Sequence, residues 1–206
     1  MKAVIKPVSP RICEKVANDG CTILVSKTAP KCGAPFKCYI YATEAKKWFH
    51  SGIVLTSNEL LWLSSGKIKM CDGFELWADG EDYQCVNNKV IGEFICDRID
   101  EIYQCNSGWV NENACISKDE FFDYLGIPRG THFGYDKKAY AWHISDLKIY
   151  GKPKELSEFY RPCSYSGICY SCNRFRPNGT PNDKPNDFCD GEITRPPQSW
   201  FYVEEL

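Results

Sequence analysis

Apolar and polar positions alternate most clearly over Lys89–Ile99, KVIGEFICDRI, which predicts a central β-strand. Side chains alternate across a strand, so Val90, Gly92, Phe94 and Cys96 share one face and Ile91, Glu93, Ile95 and Asp97 the other. The first face is wholly apolar; the second carries two carboxylates, as suits a strand between a core and a part-polar groove. Gly92 in mid-strand allows another backbone to come close or the strand to bend sharply.

The same reading places a short strand at Ala3–Ile5, then a helix opened by Ser9-Pro10, striped by Ile12, Cys13, Val16 and Ala17, and ended by Asn18-Asp19-Gly20. Strands follow at Thr22–Ser26 and Phe36–Ala42, joined by a loop over Lys27–Pro35. Glu44–Asp82 is the least patterned stretch and reads as an insert, with a helical turn at Glu59–Leu63 after Asn58 and a hairpin within Lys67–Trp77 around Asp72-Gly73. Asp100–Asn113 is polar and runs from strand to loop. Ser117 and Glu120 have capping-box spacing, so SKDEFFDYL predicts a helix that Gly126 stops, its aromatic residues packed as core. A strand in Lys138–Ile149 puts Tyr140, Trp142 and Ile144 on one side and Ala141, His143 and Ser145 on the other. A short helix at Leu156–Phe159 precedes a Cys-bearing, Pro/Asn-rich segment, and Gln198–Val203 forms the last strand. Strands scattered among single helices, without βαβ alternation, predict an α+β fold with a small mixed or closed β-barrel.

The chain has 206 residues, enough for one large domain, and its 43% apolar content supports a packed core without disulfides. With 25 basic against 27 acidic residues it is no nucleic-acid-coating protein, although a local basic groove remains open. The N-terminal segment lacks an apolar run long enough for a signal peptide, and no stretch reaches a membrane span. A soluble, cytoplasmic protein is expected. In that compartment its 13 cysteines read as thiols or metal ligands rather than disulfides.

Cys163, Cys169, Cys172 and Cys189 form C-x5-C-x2-C-x16-C, a set able to close a tetrahedral zinc site around a loop that has no apolar periodicity of its own. Four thiolates would also hold an iron–sulfur cluster. The other cysteines read mostly as small buried hydrophobes. Phosphate-loop, dinucleotide-loop, H-E-x-x-H and G-x-S-x-G patterns are absent. His50, His132 and His143 are too scattered for a triad, and His143 reads as a half-buried structural residue.

MKAVIKPVSPR, APFKCYIYAT, GKIKM, KVIGEFICDRI, AYAWHISDLKIYGKPKELSEF and ITRPPQSWFYVEEL together resemble the ASCH-domain proteins of phages and prophages, over most of residues 1–162 and 191–206. The resemblance implies a PUA-like curved barrel with flanking helices over 1–162, an insert near 44–82, a Cys-rich metal-binding insertion over 163–190 and a final strand within 191–206. It implies binding of RNA or a modified nucleotide in a groove. One branch of the family hydrolyses the acetyl group from acetylated cytidine with a lysine, a threonine and a glutamate, and the family segment after the first helix usually runs Gly-x-Lys-Thr-x-Glu-x-Arg-Lys. Here that segment reads DGCTILVSK: Thr22 and Lys27 match, whereas Cys21, Leu24 and Ser26 stand in the lysine, glutamate and arginine places.

Three functions follow. The first is a non-catalytic binder of nucleic acid, RNA foremost, or of a nucleotide. Lys27 and Lys31 would meet phosphate, Tyr41 and Trp142 would stack on bases, and Arg195, Gln198 and Trp200 would lie beside the last strand. The second is a hydrolase acting on modified nucleosides or nucleic acid through Cys21, Thr22, Glu93 and Tyr41. The third is a phage-encoded factor that binds a host protein, its charged groove lost.

Overall fold

The computed structural model describes residues 3–18, 20–71, 82–103, 113–114, 116–128, 137–162, 193, 195–196 and 198–205. Six strands form the main sheet: β1 (Ala3–Val8), β2 (Ile23–Ser26), β3 (Phe36–Ala42), β9 (Lys89–Tyr103), β10 (Lys138–Glu155) and β11 (Phe201–Val203). Their order is β11-β1-β3-β9-β10-β2, and only the β1–β3 pair is parallel. A hairpin of β4 (Lys46–His50) and β5 (Ile53–Ser57) stands apart, with Ile53 and Val54 exposed at its tip. A second sheet, β7-β6-β8, is made of β6 (Glu59–Leu63), β7 (Ile68–Cys71) and β8 (Tyr83–Cys85).

The main sheet curls. Lys6 on β1 sets its Nζ 4.7 Å from the ring centroid of Trp142 on β10, three places away in the strand order. In a flat sheet those strands would be about 14 Å apart, at about 4.8 Å per step. The inner face is the largest core cluster, built on Val4, Val8, Phe36, Cys38, Ile40, Phe94, Cys96 and Trp142. Phe36 meets the Trp142 ring edge-on at 5.3 Å. Outside, Tyr39, Tyr41, Val90 and Tyr150 pack under Phe159, Ile193 and Val203. A third patch joins Ile23, Val25, Ala139 and Ala141 to Phe121 and Leu125 of α2 (Lys118–Leu125).

Helix α1 (Pro10–Asn18) ties the second sheet to the first. The Asn18 amide donates to the Ile68 carbonyl, and the Glu14 carboxylate accepts from Met70 N–H. Asn87 does the same from the other side: its carboxamide oxygen accepts from Leu60 N–H, and its NH2 donates to the Thr43 and Asn58 carbonyls. At α2 the capping box is present, with Ser117 and Glu120 exchanging bonds and Gly126 left-handed at φ 63°.

Several expectations change. Glu59–Leu63 is strand β6, not a helical turn; Asn58 is left-handed at φ 61° and ends the preceding strand instead of capping a helix. β1 runs to Val8, β9 to Tyr103 and β10 to Glu155, each longer than its hydrophobic pattern. Within β9 the faces also switch. Tyr41 pairs with Val90 where regular pairing would reach Ile91, and this bulge sends Val90 to the outer cluster and Ile91 to the inner one. The curl is not closed by hydrogen-bonded strands: among the described residues β11 and β2 remain its two edges. The cysteines are mixed in state, since Cys21 is in a disulfide while Cys13, Cys32, Cys38, Cys71, Cys85 and Cys96 are free. No helix among the described residues is long and apolar enough to cross a membrane.

Candidate functional site: a cavity in the seam of the sheet

β11 pairs only with Ala3–Ile5, so among the described residues the edge of β1 at Lys6, Pro7 and Val8 has no strand beside it. Pro7, which has no N–H to offer, sits where no partner strand asks for one. Beyond a single bridge from Ile23 to Ala114, β2 likewise pairs with β10 alone among the described residues. Side chains bridge the two edges farther along. Thr28 and Ser199 hydroxyls lie 2.9 Å apart, the Trp200 indole N–H donates to Thr28 Oγ1 at 2.8 Å, and Cys32 N–H donates to the Tyr202 hydroxyl. Where no such bridge exists the wall opens into a cavity of about 280 Å³.

Its buried part is formed by Lys6, Val8, Leu24 and Val25; Pro7, Ile12 and Ile116 continue the apolar wall, and Ser9, Arg11, Glu120 and Tyr124 stand at the exposed mouth. Lys6 holds the inward place between Val4 and Val8 on β1 and is only 4% exposed. Its ammonium lies against the Trp142 face and has no carboxylate partner among the described residues. Burial lowers its pKa to about 8, against which the nearby Cys38 and Cys96 thiols push weakly. Ser26 Oγ and Trp142 Nε1 are also buried without a hydrogen-bond partner.

The mouth is more conventional. Arg11 pairs with Glu120, whose carboxyl is held below its usual range first by the Ser117 backbone N–H and then by Arg11. Tyr124 accepts a hydrogen bond from Lys27 N–H at 3.1 Å, and Lys27 Nζ lies 4.8 Å over the Tyr124 ring. Burial raises the Tyr124 pKa, so the ring stays neutral and keeps its hydroxyl proton.

The seven residues expected to bind nucleic acid are split by the curl. Lys27, Lys31 and Gln198 are exposed along the two sides of the seam, with Trp200 half-buried among them, 6.5 Å from the Trp142 ring. Arg195 is exposed as well. Trp142 is wholly buried beneath Lys6, and Tyr41 lies on the opposite face, its hydroxyl bonded to Asn88, so neither presents a stacking surface. Residues proposed for hydrolysis are dispersed too. Cys21 is tied up in its disulfide, Thr22 Oγ1 donates to the Asn113 carbonyl, and Glu93 sits on the outer face between Tyr150, at 2.6 Å, and Lys37. His143 bonds Asp100 and Arg98 on β9. Cys163, Cys169, Cys172 and Cys189 lie outside the described residues, as does His132; among the described residues no His/Cys/Asp/Glu group is arranged to hold a metal.

Sequence reasoning missed Lys6, Arg11 and Tyr124. The signal was present for Lys6: a lone charge between two apolar residues of the same strand face.

No family model matches the sequence, and no curated protein matches it. Among solved structures the fold is similar to ASCH from Zymomonas mobilis, at 15% identity and a TM-score of 0.45, over 75% of this chain and 74% of that one. A single-residue mutant of the same protein gives 15% identity and a TM-score of 0.45 over 76% and 77%. At this distance the likeness says nothing of ligand or activity, and both have to be argued from the cavity itself.

Proposed function

We propose that this chain is a non-catalytic, PUA-like binder of single-stranded nucleic acid, RNA foremost, or of a modified nucleotide, and that one nucleotide unit enters the seam cavity. The observation that carries this is a buried ammonium at the inner end of an apolar slot whose mouth carries Arg11, Tyr124 and Lys27. A small pocket of this kind takes one ring, not a chain: ligand pockets start near about 300 Å³. Lys27, Lys31 and Arg11 would track phosphates outside. Glu93, Thr22 and Cys21 offer no assembled acid–base pair, which favours binding over hydrolysis.

Fluorescence anisotropy with single-stranded RNA at low salt is expected to show binding. With two or three phosphates neutralised, log K should fall against log[salt] with a slope of about −2. Lys27→Ala with Lys31→Ala should flatten that slope by about one to two units. No binding to single-stranded RNA, duplex RNA or DNA at low salt would overturn the reading.

We also propose that Cys163, Cys169, Cys172 and Cys189 hold one zinc ion. Support comes from ligand number and spacing, and from the lack of apolar periodicity in the loop they would close. Elemental analysis should find about one zinc per chain, and chelation should make those thiols reactive. A metal-free chain that is equally folded would refute it.

A further inference from the structure

We infer that the cavity selects bases bearing an exocyclic carbonyl, and that Lys6 is the residue that reads it. The inference rests on the nucleotide-binding reading above and says which edge of which base turns inward.

Lys6 is 4% exposed, has three N–H donors and no carboxylate partner among the described residues. The Trp142 face offsets some of its desolvation but accepts no ordinary hydrogen bond. The Cys38 and Cys96 thiols face it from β3 and β9, and both stay protonated because burial raises their pKa. At the mouth Glu120 is held by Arg11, and the third charged group there, Lys27, lies over the Tyr124 ring, so no mouth carboxylate is left to reach Lys6. A ligand that reaches Lys6 must therefore supply an acceptor.

The walls decide which acceptor. Val8, Ile12, Leu24, Val25 and Ile116 are aliphatic. A phosphate buried among them would exchange its water for a single cation, and the dianion would remain largely unpaired. A planar heterocycle loses little by contact with aliphatic sides and needs a partner only at its edge. That edge must present an acceptor with no donor beside it on the side that the ammonium approaches. Uracil, cytosine and guanine place a carbonyl oxygen on the edge that pairs with other bases, whereas adenine offers there a ring nitrogen flanked by an amino donor, so an ammonium that reaches the nitrogen also meets the amino group. An ammonium facing an amino group leaves two donors opposed and both unsatisfied, which a buried site penalises heavily. Ribose and phosphate then remain outside, beside Arg11 and the Lys27–Tyr124 pair.

Inosine and adenosine 5′-monophosphate test this on one ring system, since their bases differ in presenting a keto or an amino group at the same carbon. Calorimetric titration of the wild-type chain should give inosine monophosphate an affinity at least about tenfold higher, the scale of one charged hydrogen bond. Lys6→Met should remove that preference. Lys6→Gln, whose amide both donates and accepts, should compress it without inverting it. Ribose 5-phosphate should bind more weakly than either nucleotide. The wild-type comparison needs no variant, so a Lys6 substitution that fails to fold leaves it decisive. Equal affinities for the two nucleotides would overturn the inference and leave the nucleotide reading intact. So would a preference that survives Lys6→Met, or ribose 5-phosphate binding as tightly as inosine monophosphate. If neither nucleotide nor single-stranded RNA binds, both fall together.

Discussion

Gly92→Ala is expected to destabilise the fold by about 3 kcal/mol or more, the upper end of what overpacking costs. A Cβ at this position would lie 2.6 Å from the Lys148 backbone carbonyl and 3.2 Å from the Ile149 Cα. Neither atom is the far end of a flexible side chain. β9 and β10 are the two longest strands, and their register shifts on both sides of this contact, between Ser145 and Lys148 and between Ile149 and Lys154. Gly92 therefore sits where β10 is pressed onto β9 by its own irregularities, and β9 holds the middle of the sheet. Thermal unfolding should record a fall of about 10 °C, at about 2–4 °C per kcal/mol for a chain of this size. A loss below about 1 kcal/mol would show that the β10 backbone can retreat, and would remove the close approach as the reason for glycine.

Lys6→Met should do the reverse. The lysine is buried, its pKa is lowered from 10.5 to about 8, and a depressed lysine pKa means that the folded state holds its proton less firmly than the unfolded chain. Below about pH 8 both states carry the charge and the folded one bears its full desolvation penalty. From about pH 8 to 10.5 only the unfolded state keeps the proton, so this group's penalty shrinks as pH rises. At about 1.4 kcal/mol per pKa unit the shift corresponds to about 3 kcal/mol, less whatever the indole face already returns. The methionine chain should thus be the more stable of the two below pH 8, and the gap should close towards pH 10.5. The difference between the chains is the quantity to measure. Absolute stability above pH 9 also falls for other reasons: the buried thiols of Cys13, Cys38 and Cys96 and the hydroxyls of Tyr124 and Tyr150 have raised pKa values, so the unfolded state ionises first and stability drops as pH rises. Arg11, Glu120 and Tyr124 are common to both chains and cancel in that difference, whereas Cys38, whose thiol the Lys6 charge holds lower, loses that help in the methionine chain, so the comparison is read between pH 7 and 8.5 first. Denaturant titration of both at pH 7, 8.5 and 10 checks it. A methionine variant less stable at pH 7 would mean that the ammonium is solvated through the cavity.

The two substitutions act on features that are unequally visible in the chain. Gly92 is legible because a glycine inside an otherwise apolar strand marks a bend or a place where a second backbone comes near, and that approach is there at Lys148. The side of β10 carrying Tyr140, Trp142 and Ile144 is legible too, since alternation holds across those residues and all three belong to the inner cluster. Alternation fails where a bulge intervenes, at Val90 and Ile91, because one extra residue flips every face assignment beyond it. It fails at Glu59–Leu63 because a run of Leu60, Leu61, Trp62 and Leu63 has no period to read.

The candidate site is harder to see. Its walls come from β1, α1, β2 and α2, and what joins them is that among the described residues no strand lies beside Lys6–Val8, which no local pattern announces. Lys27 stands out by its charge; Tyr124, which it covers, reads as core because the helix pattern gives no sign that this ring stands at a rim. Tyr41 and Trp142 suggest stacking by ring type alone, and ring type does not say which side of a curved sheet a residue faces.

The sealed thiols give the molecule a clock. Cys13, its Sγ 3.6 Å from the Val8 carbonyl, and Cys38 are wholly enclosed, while Cys85 is open to solvent. An alkylating reagent consumes only thiolates it can touch, so Cys85 marks the start of the exposure and Cys13 and Cys38 tick only when the chain breathes. Their labelling rates, timed against Cys85, count how often helix and curled strands part company, with no residue of the chain changed beforehand.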